Sequence, residues 1–407
     1  MTRQIVIVGA GIVGTAIAAG LSAIDGITVT VIEQGPPERL PGSTGHAPGF
    51  VGVLGDSPVL TGLAKASAAA YDTLRVNGVN GFSRVGSIEI ATTAQAERLL
   101  EQRYRMAQEA GLASRLIEPE EAITLAPSLI DPAPVRRGLH FPTDGTARAS
   151  IITTALRARS EDLGARYINS QLVTGFGFTG DRVASVQTSD TSIAADDIVI
   201  AAGIWSPLIA EMAGFRLSLV PVEHPYIYGP PRARNQPPHT ATAMPFIRWP
   251  EHHVYARDHG ARFGLGTYDH EPSPIAPTQL GASAERPWPG HIFDDAIDRA
   301  RHLLPEANRF DPALRLNGLF AMTPDNLPFL GPLPDMHGVW VAVAIWITHA
   351  VGAANALVGL MTEGGTGIDG VASLHPDRFA GQDHSGLERL ALRLYRDIYA
   401  TDAVREQ

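Results

Sequence analysis

Residues 5–34 read IVIVGAGIVGTAIAAGLSAIDGITVTVIEQ, and their reading decides the fold. Ile5-Val6-Ile7-Val8 is a β-branched run without polar alternation, the pattern of a strand buried on both faces. Gly9, Gly11 and Gly14 follow at G-x-G-x-x-G spacing, and a small-residue segment of helical period runs from Thr15 to Ala23. A second apolar run, Val29-Thr30-Val31-Ile32, ends at Glu33 and Gln34. The order is strand, tight turn, helix, strand, acid. Gly9 permits the turn, Gly11 lets the backbone approach a pyrophosphate, and Gly14 lets helix and strand pack closely. The helix N-terminus offers unpaired N–H groups to the phosphates. Glu33, about twenty residues beyond the glycines, suits a ribose hydroxyl. The stretch predicts a dinucleotide-binding βαβ unit without saying which dinucleotide.

Bulk properties narrow the class. The 407 residues exceed one compact core, so at least two domains are expected. Forty-two acids against 32 bases give a net charge of -10, which argues against nucleic acid or an anionic membrane as partner. The absence of cysteine excludes disulfides, thiolate catalysis and Cys-ligated metals. The N-terminus does not read as a signal peptide and no run is long enough to span a bilayer, so a cytoplasmic location is expected.

Further elements follow in order. Residues 61–74, 94–110, 149–163, 294–304, 351–361 and 386–399 have helical spacing. Residues 86–92 alternate, as in a half-buried strand. Residues 172–178 and 182–188 read as a hairpin closed at Gly180-Asp181. Residues 197–203, DIVIAAG, form a second buried strand ending in glycine. Residues 220–228, 246–249, 253–257 and 262–267 read as strands of a separate antiparallel sheet. Residues 271–290 read as a long surface loop, and 315–323 and 338–344 as further strands. Nucleotide-type elements thus recur at the start, middle and end. The expected fold is α/β, α+β taken whole: a discontinuous Rossmann-like domain (1–84, 145–215, 312–372) with an inserted antiparallel-sheet substrate domain (85–144, 216–311) and a helical tail (373–407).

Five motifs occur in a fixed order: the opening βαβ, the loop GSTGHAPG at 42–49, IVIAAGIWSPLI at 198–209, TPDNLPFLG at 323–331 and AIWITHAVG at 344–352. Together they resemble the D-amino-acid-oxidase superfamily of flavoenzymes. Within it they are most similar to the FAD domains of the dimethylglycine oxidase, dimethylglycine dehydrogenase and sarcosine dehydrogenase group. The resemblance covers nearly the whole chain. It implies FAD as cofactor, held by Gly9, Gly11, Ile12, Val13, Gly14, Glu33, Gln34, Ser43, Thr44, Gly45, Phe50, Val173 and Tyr255, and by Ile345, Trp346, Ile347 and Thr348. The loop histidine of that group, His46 here, is covalently joined to the flavin 8α-methyl. Such a link withdraws electrons from the ring and raises its potential. The helix beginning near Ala350 would aim its positive end at the flavin pyrimidine.

The group's His and Tyr of the substrate face match His224 and Tyr255. Hydride transfer from an amine needs the neutral form, and a histidine titrating near neutrality can accept the proton, with a tyrosine hydroxyl as relay. Ala256 stands where the group tends to carry a second aromatic. A substrate carboxylate calls for a bidentate arginine, and Arg248 and Arg257 are equal candidates. His252, His253, His259 and His270 cluster in sequence, yet no acidic ligand set has metal spacing. They read as surface or pocket-rim residues, with His252 and His253 on opposite faces of a strand, and no metal is expected. The chain stops near where larger members begin a folate-binding module, so no folate is expected.

The expected activity is FAD-dependent oxidation of a secondary or tertiary amine, foremost an N-methylated amino acid. Hydride transfer gives an imine that hydrolyses to the demethylated amine and formaldehyde, with O2 or a partner protein as electron acceptor. One alternative is a tailoring oxidase forming an imine on a non-methyl amine or a carrier-bound aminoacyl group. The other is a non-catalytic FAD-binding subunit of a larger complex, against which the presence of both His224 and Tyr255 counts.

Overall fold

A computed structural model describes residues 2–232, 242–362 and 365–399. The opening strand, Arg3–Val8, lies inside a six-stranded sheet. It pairs in parallel with Ile27–Ile32 on one side and with Asp197–Ile200 on the other. Arg166–Ile168 extends the first flank; Val339–Val343 and Phe329–Pro332 extend the second, the last strand antiparallel. The unalternated run now has its explanation. Ile5 and Ile7 enter a core with helices Ile12–Leu21, Ala149–Asp162 and Ala350–Thr362. Val6 and Val8 enter a second core on the opposite face, with Ile198, Ile200 and the meander residues Val173, Val183 and Val186. One strand feeds two cores, so each of its residues from Ile5 to Val8 must be apolar.

The turn behind this strand is crowded. Gly9 has φ +108°, and a Cβ there would lie 2.5 Å from the Ala201 carbonyl oxygen. A Cβ on Gly14 would lie 1.9 Å from the Gly9 oxygen. Both positions therefore require glycine, the first for its backbone conformation and the second for helix-to-turn contact.

The second unit is a nine-stranded sheet. In spatial order its strands are Glu285–Arg286, Leu314–Met322, Val220–Tyr228, Phe263–Thr267, Val254–Asp258, Phe246–Trp249, Ser87–Ala91, Arg137–Phe141 and Arg115–Ile117. The expected antiparallel sheet is corrected at one seam, where Phe246–Trp249 runs parallel to Ser87–Ala91. These strands come from distant segments, so no hairpin dictates their direction. The Ser87–Ala91 strand is also buried throughout, not half-buried. Its alternation is real, but its polar residues face inward: Ile88 and Ile90 join an apolar core, while Glu89 points to a pair of arginines.

Two further expectations are corrected. Within residues 271–290, Glu285–Arg286 is an edge strand on Leu314–Met322. His252 closes a short 3-10 turn and His253 has φ +55°, so the strand begins only at Val254. In the last helix, His384–Arg396, Ala391, Leu394 and Tyr395 pack against Val220, Val222 and Met322 of the large sheet. Among the described residues no helix is long and apolar enough to cross a membrane.

Candidate active site

A cavity of about 400 Å3 runs from the dinucleotide turn, along the 42–50 loop, to the face of the large sheet. At its first end Glu33 is held by two backbone amides, Ala10 N–H to Oε2 and Gly35 N–H to Oε1, each 2.8 Å. The carboxylate is thereby fixed at the strand end, with lone pairs left for a hydroxyl. Gly9, Gly11, Ile12, Val13, Gln34 and Val173 line the same end. Thr44 Oγ1 accepts from the Ile12 N–H at 3.3 Å, tying the loop to the helix N-terminus. Ser43 Oγ donates to the Leu319 carbonyl at 2.6 Å. Thr348 Oγ1 donates to the Phe50 carbonyl at 2.9 Å, and Ile345 to Thr348 form one wall. Gly14 and Gly45 lie behind this lining; a Cβ on Gly45 would meet the Leu40 oxygen at 2.1 Å.

His46 lies mid-cavity, its Nε2 3.3 Å from the Leu319 carbonyl. The ring fits because residue 318 is glycine, where a Cβ would stand 2.5 Å from the imidazole. Burial lowers the His46 pKa, so its ring keeps a lone pair at neutral pH.

On the sheet face, Tyr255 Oη and His224 Nε2 are 2.8 Å apart, and both side chains line the cavity. The two residues lie on strands separated by Phe263–Thr267, whose Gly266 leaves room for the Tyr255 ring. Tyr268 packs against the His224 ring at 4.3 Å between centroids. Burial foremost, and then the charges of His270 and His46, hold the His224 pKa well below its usual value. Burial pushes the Tyr255 hydroxyl well up. At neutral pH the pair is therefore a neutral imidazole beside an un-ionised phenol, able to receive one proton.

The two candidate arginines separate. Arg248 lines the cavity and donates to Glu89, with its guanidinium 4.6 Å from the Phe50 ring centroid and 5.5 Å from that of Tyr399. Glu89 also receives Arg103 through a fork of 2.7 and 2.9 Å. Burial opposes the ionised form of Glu89, but the two guanidinium groups outweigh it and its pKa is lowered. Arg257 is buried and donates to the carbonyls of Pro48 and Ala147, the latter at 3.0 Å. It anchors the 42–50 loop from below and does not line the cavity.

The four clustered histidines part company as well. His252 is bonded to Thr92 and partly exposed. His270 is buried and His259 half-buried, and each meets a tyrosine hydroxyl, Tyr395 and Tyr226 respectively, at 2.7 Å. Among the described residues no group of three or more His, Asp or Glu is placed to hold a metal.

Sequence reasoning missed Tyr395, Tyr268, Tyr399, Glu89 and Arg103. The apolar spacing of Leu387, Ala391, Leu394 and Tyr395 marks a buried helix face, but nothing in it names the surface that the face meets.

A Rossmann-type sheet, a glycine turn, a pinned acid and an aromatic, histidine-bearing cavity define a dinucleotide-dependent redox protein. The sequence matches the family "FAD dependent oxidoreductase" (DAO) over residues 4–360, and the chain belongs to that family. Its residues fit the cofactor: the cradle at Gly9 and Gly14 excludes any side chain, and Glu33 is held where a ribose hydroxyl would meet it. The chain is 28% identical to human mitochondrial dimethylglycine dehydrogenase over 390 residues, 92% of this chain and 44% of that protein. It thus spans about half the length of the curated relatives it matches first. It is also 28% identical to glycine oxidase of Pseudomonas aeruginosa, covering 84% of this chain and 89% of that one. In fold it resembles L-proline dehydrogenase of P. horikoshii, with TM-score 0.81 and 23% identity over 93% of this chain and 98% of the other.

Proposed function

We propose that this FAD-dependent oxidoreductase oxidises a secondary or tertiary amine bearing a carboxylate, foremost an N-methylated amino acid. The observation that carries the reading is the Tyr255–His224 pair, 2.8 Å apart on the cavity wall and held neutral by burial. FAD would lie along Gly9, Gly11, Ile12, Val13, Glu33, Gln34, Ser43, Thr44, Phe50, Val173 and residues 345–348. His46 would tether it covalently, as supported by a neutral ring in a seat that glycine leaves open. When bound, the flavin supplies a two-electron acceptor for a hydride from carbon.

The chain's own residues do the rest. Arg248 meets the carboxylate and orients the amine beneath the ring. The Tyr255 oxygen accepts the ammonium proton as its own passes to His224 Nε2, leaving a lone pair to drive C–H cleavage. The stacked rings of Phe50, Phe246 and Tyr255 exclude water from the reacting carbon. If a methyl carbon is oxidised, the iminium takes up water and yields formaldehyde and the demethylated amine. Electrons then leave to O2 or to a partner protein.

The test is anaerobic mixing with a panel of N-methyl amino acids and cyclic imino acids, following flavin absorbance and formaldehyde together. Bleaching with formaldehyde supports N-demethylation. Bleaching without it moves the oxidised carbon into the ring or chain of the substrate. No bleaching by any member would overturn the assignment.

A further inference from the structure

We propose that Tyr395 and His270 extend the Tyr255–His224 pair into a four-residue proton relay, oriented by the Glu271 carbonyl, that carries the amine proton out of the cavity to His270. The inference rests on the proposed amine oxidation, and it involves two residues outside the cavity lining, one of them on the last helix.

Hydrogen-bond bookkeeping fixes the direction. His270 Nδ1 lies 2.8 Å from the Glu271 carbonyl, an acceptor only, so Nδ1 carries the hydrogen. Neutral His270 then presents a lone pair at Nε2, and the Tyr395 hydroxyl, 2.7 Å away, donates to it. That hydroxyl has one hydrogen; the Glu223 carbonyl at 3.1 Å is its longer rival acceptor. The Tyr395 oxygen therefore accepts from His224 Nδ1–H at 2.8 Å. His224 Nε2 is left bare and accepts the Tyr255 hydroxyl at 2.8 Å. The Tyr255 oxygen, with its lone pairs free, faces the cavity.

The transfer balances. The amine N–H, the Tyr255 O–H, the His224 Nδ1–H and the Tyr395 O–H break. Bonds form from hydrogen to the Tyr255 oxygen, His224 Nε2, the Tyr395 oxygen and His270 Nε2. The amine leaves this step neutral, His270 becomes imidazolium, and no residue is oxidised or reduced. The terminus suits a cation better than the middle does. Burial lowers the His270 pKa, but the Glu271 carbonyl and the carboxylates of Asp269, Glu223 and Glu271 act against that fall, whereas no such group supports a charge on His224. Arg299 on Asp269 and Arg396 on Glu271 temper that field, and Phe293 closes the remaining side. His224 is faced by His46, His270 and the un-ionised hydroxyls of Tyr255 and Tyr395, with the Tyr268 ring against it, so a charge resting there is disfavoured. Tyr395 and His270 act through His224 and are positioning residues.

The alternative is that these bonds merely hold the last helix to the sheet. Tyr395→Phe and His270→Gln, in the full-length FAD-loaded protein, separate the two. Each keeps side-chain volume; the first cuts the relay and the second removes its ionisable end. The rate of flavin reduction by an amine active on wild type is followed from about pH 6 to about pH 10. Near neutrality both variants should be slower by about tenfold or more, and the defect should shrink toward high pH, where the amine arrives already neutral. A uniform slowing at all pH values, or none, would overturn the relay. If wild type is not reduced by any amine, the functional reading fails instead, and the relay keeps its own substrate-free test. Histidine 15N spectra should show His224 as the Nδ1–H tautomer in wild type and lose that preference in Tyr395→Phe. An Nε2–H tautomer in wild type refutes the proposed direction.

Discussion

The ring of Tyr255 occupies the space that a side chain on Gly266 would take: a Cβ there would lie 2.3 Å from the tyrosine hydroxyl. The strand Phe263–Thr267 is thus notched under a residue that lines the cavity. Gly266→Ala should push the ring off His224 and slow flavin reduction by about a hundredfold, as expected for losing a positioned acid–base group. Flavin content should be retained. Flavin reduction at the wild-type rate in this variant would show that the contact with His224 is dispensable.

A second glycine serves His46. Gly318→Ala should displace the imidazole from its seat and lower the fraction of covalently held flavin, and His46→Ala should abolish it. The check is acid denaturation followed by centrifugation. Yellow colour stays with the pellet in wild type and moves to the supernatant in His46→Ala. Colour in the wild-type supernatant would remove the tether.

Arg248 and Arg257 should behave differently. Losing a charged hydrogen bond costs about 1.5–3 kcal/mol, so Arg248→Ala should raise the KM of a carboxylated amine by about ten- to a hundredfold. An amine of similar size without the carboxylate should be little affected. Arg257→Ala should instead loosen the 42–50 loop and weaken flavin retention, because its partners are the Pro48 and Ala147 carbonyls. Equal KM effects from the two variants would contradict this division.

Buried neutral histidines make stability depend on pH. The His349 pKa is lowered by burial to about 4, and His224 and His259 are also held well below their usual value. The unfolded chain binds these protons more readily, so stability is full above about pH 6.5 and falls as pH drops toward 4. His349 alone contributes on the order of 3 kcal/mol to that fall. Thermal melts across this range should show a steady loss, partly removed by His349→Gln.

The opening βαβ was legible because strand burial, glycine spacing and the terminal acid are local properties, and residues 5–34 display all three. The 42–50 loop and the His224–Tyr255 pair were legible through the order of the motifs. What escaped depends on distant segments. Glu89 gains its meaning from Arg103 and Arg248, which arrive on separate elements. Tyr395 bonds a histidine 171 residues earlier, and periodicity shows that its helix has a buried face without showing what covers it. The parallel seam in the large sheet is likewise a consequence of long connections that carry no turn signal.

The central claim is that the His224–Tyr255 pair takes the amine proton before hydride leaves carbon. It is tested most directly by the rate of anaerobic flavin reduction in His224→Ala against pH. The account predicts a deep loss at low pH that narrows as the solution itself deprotonates the amine. A variant that reduces its flavin at the wild-type rate across the whole range would contradict it.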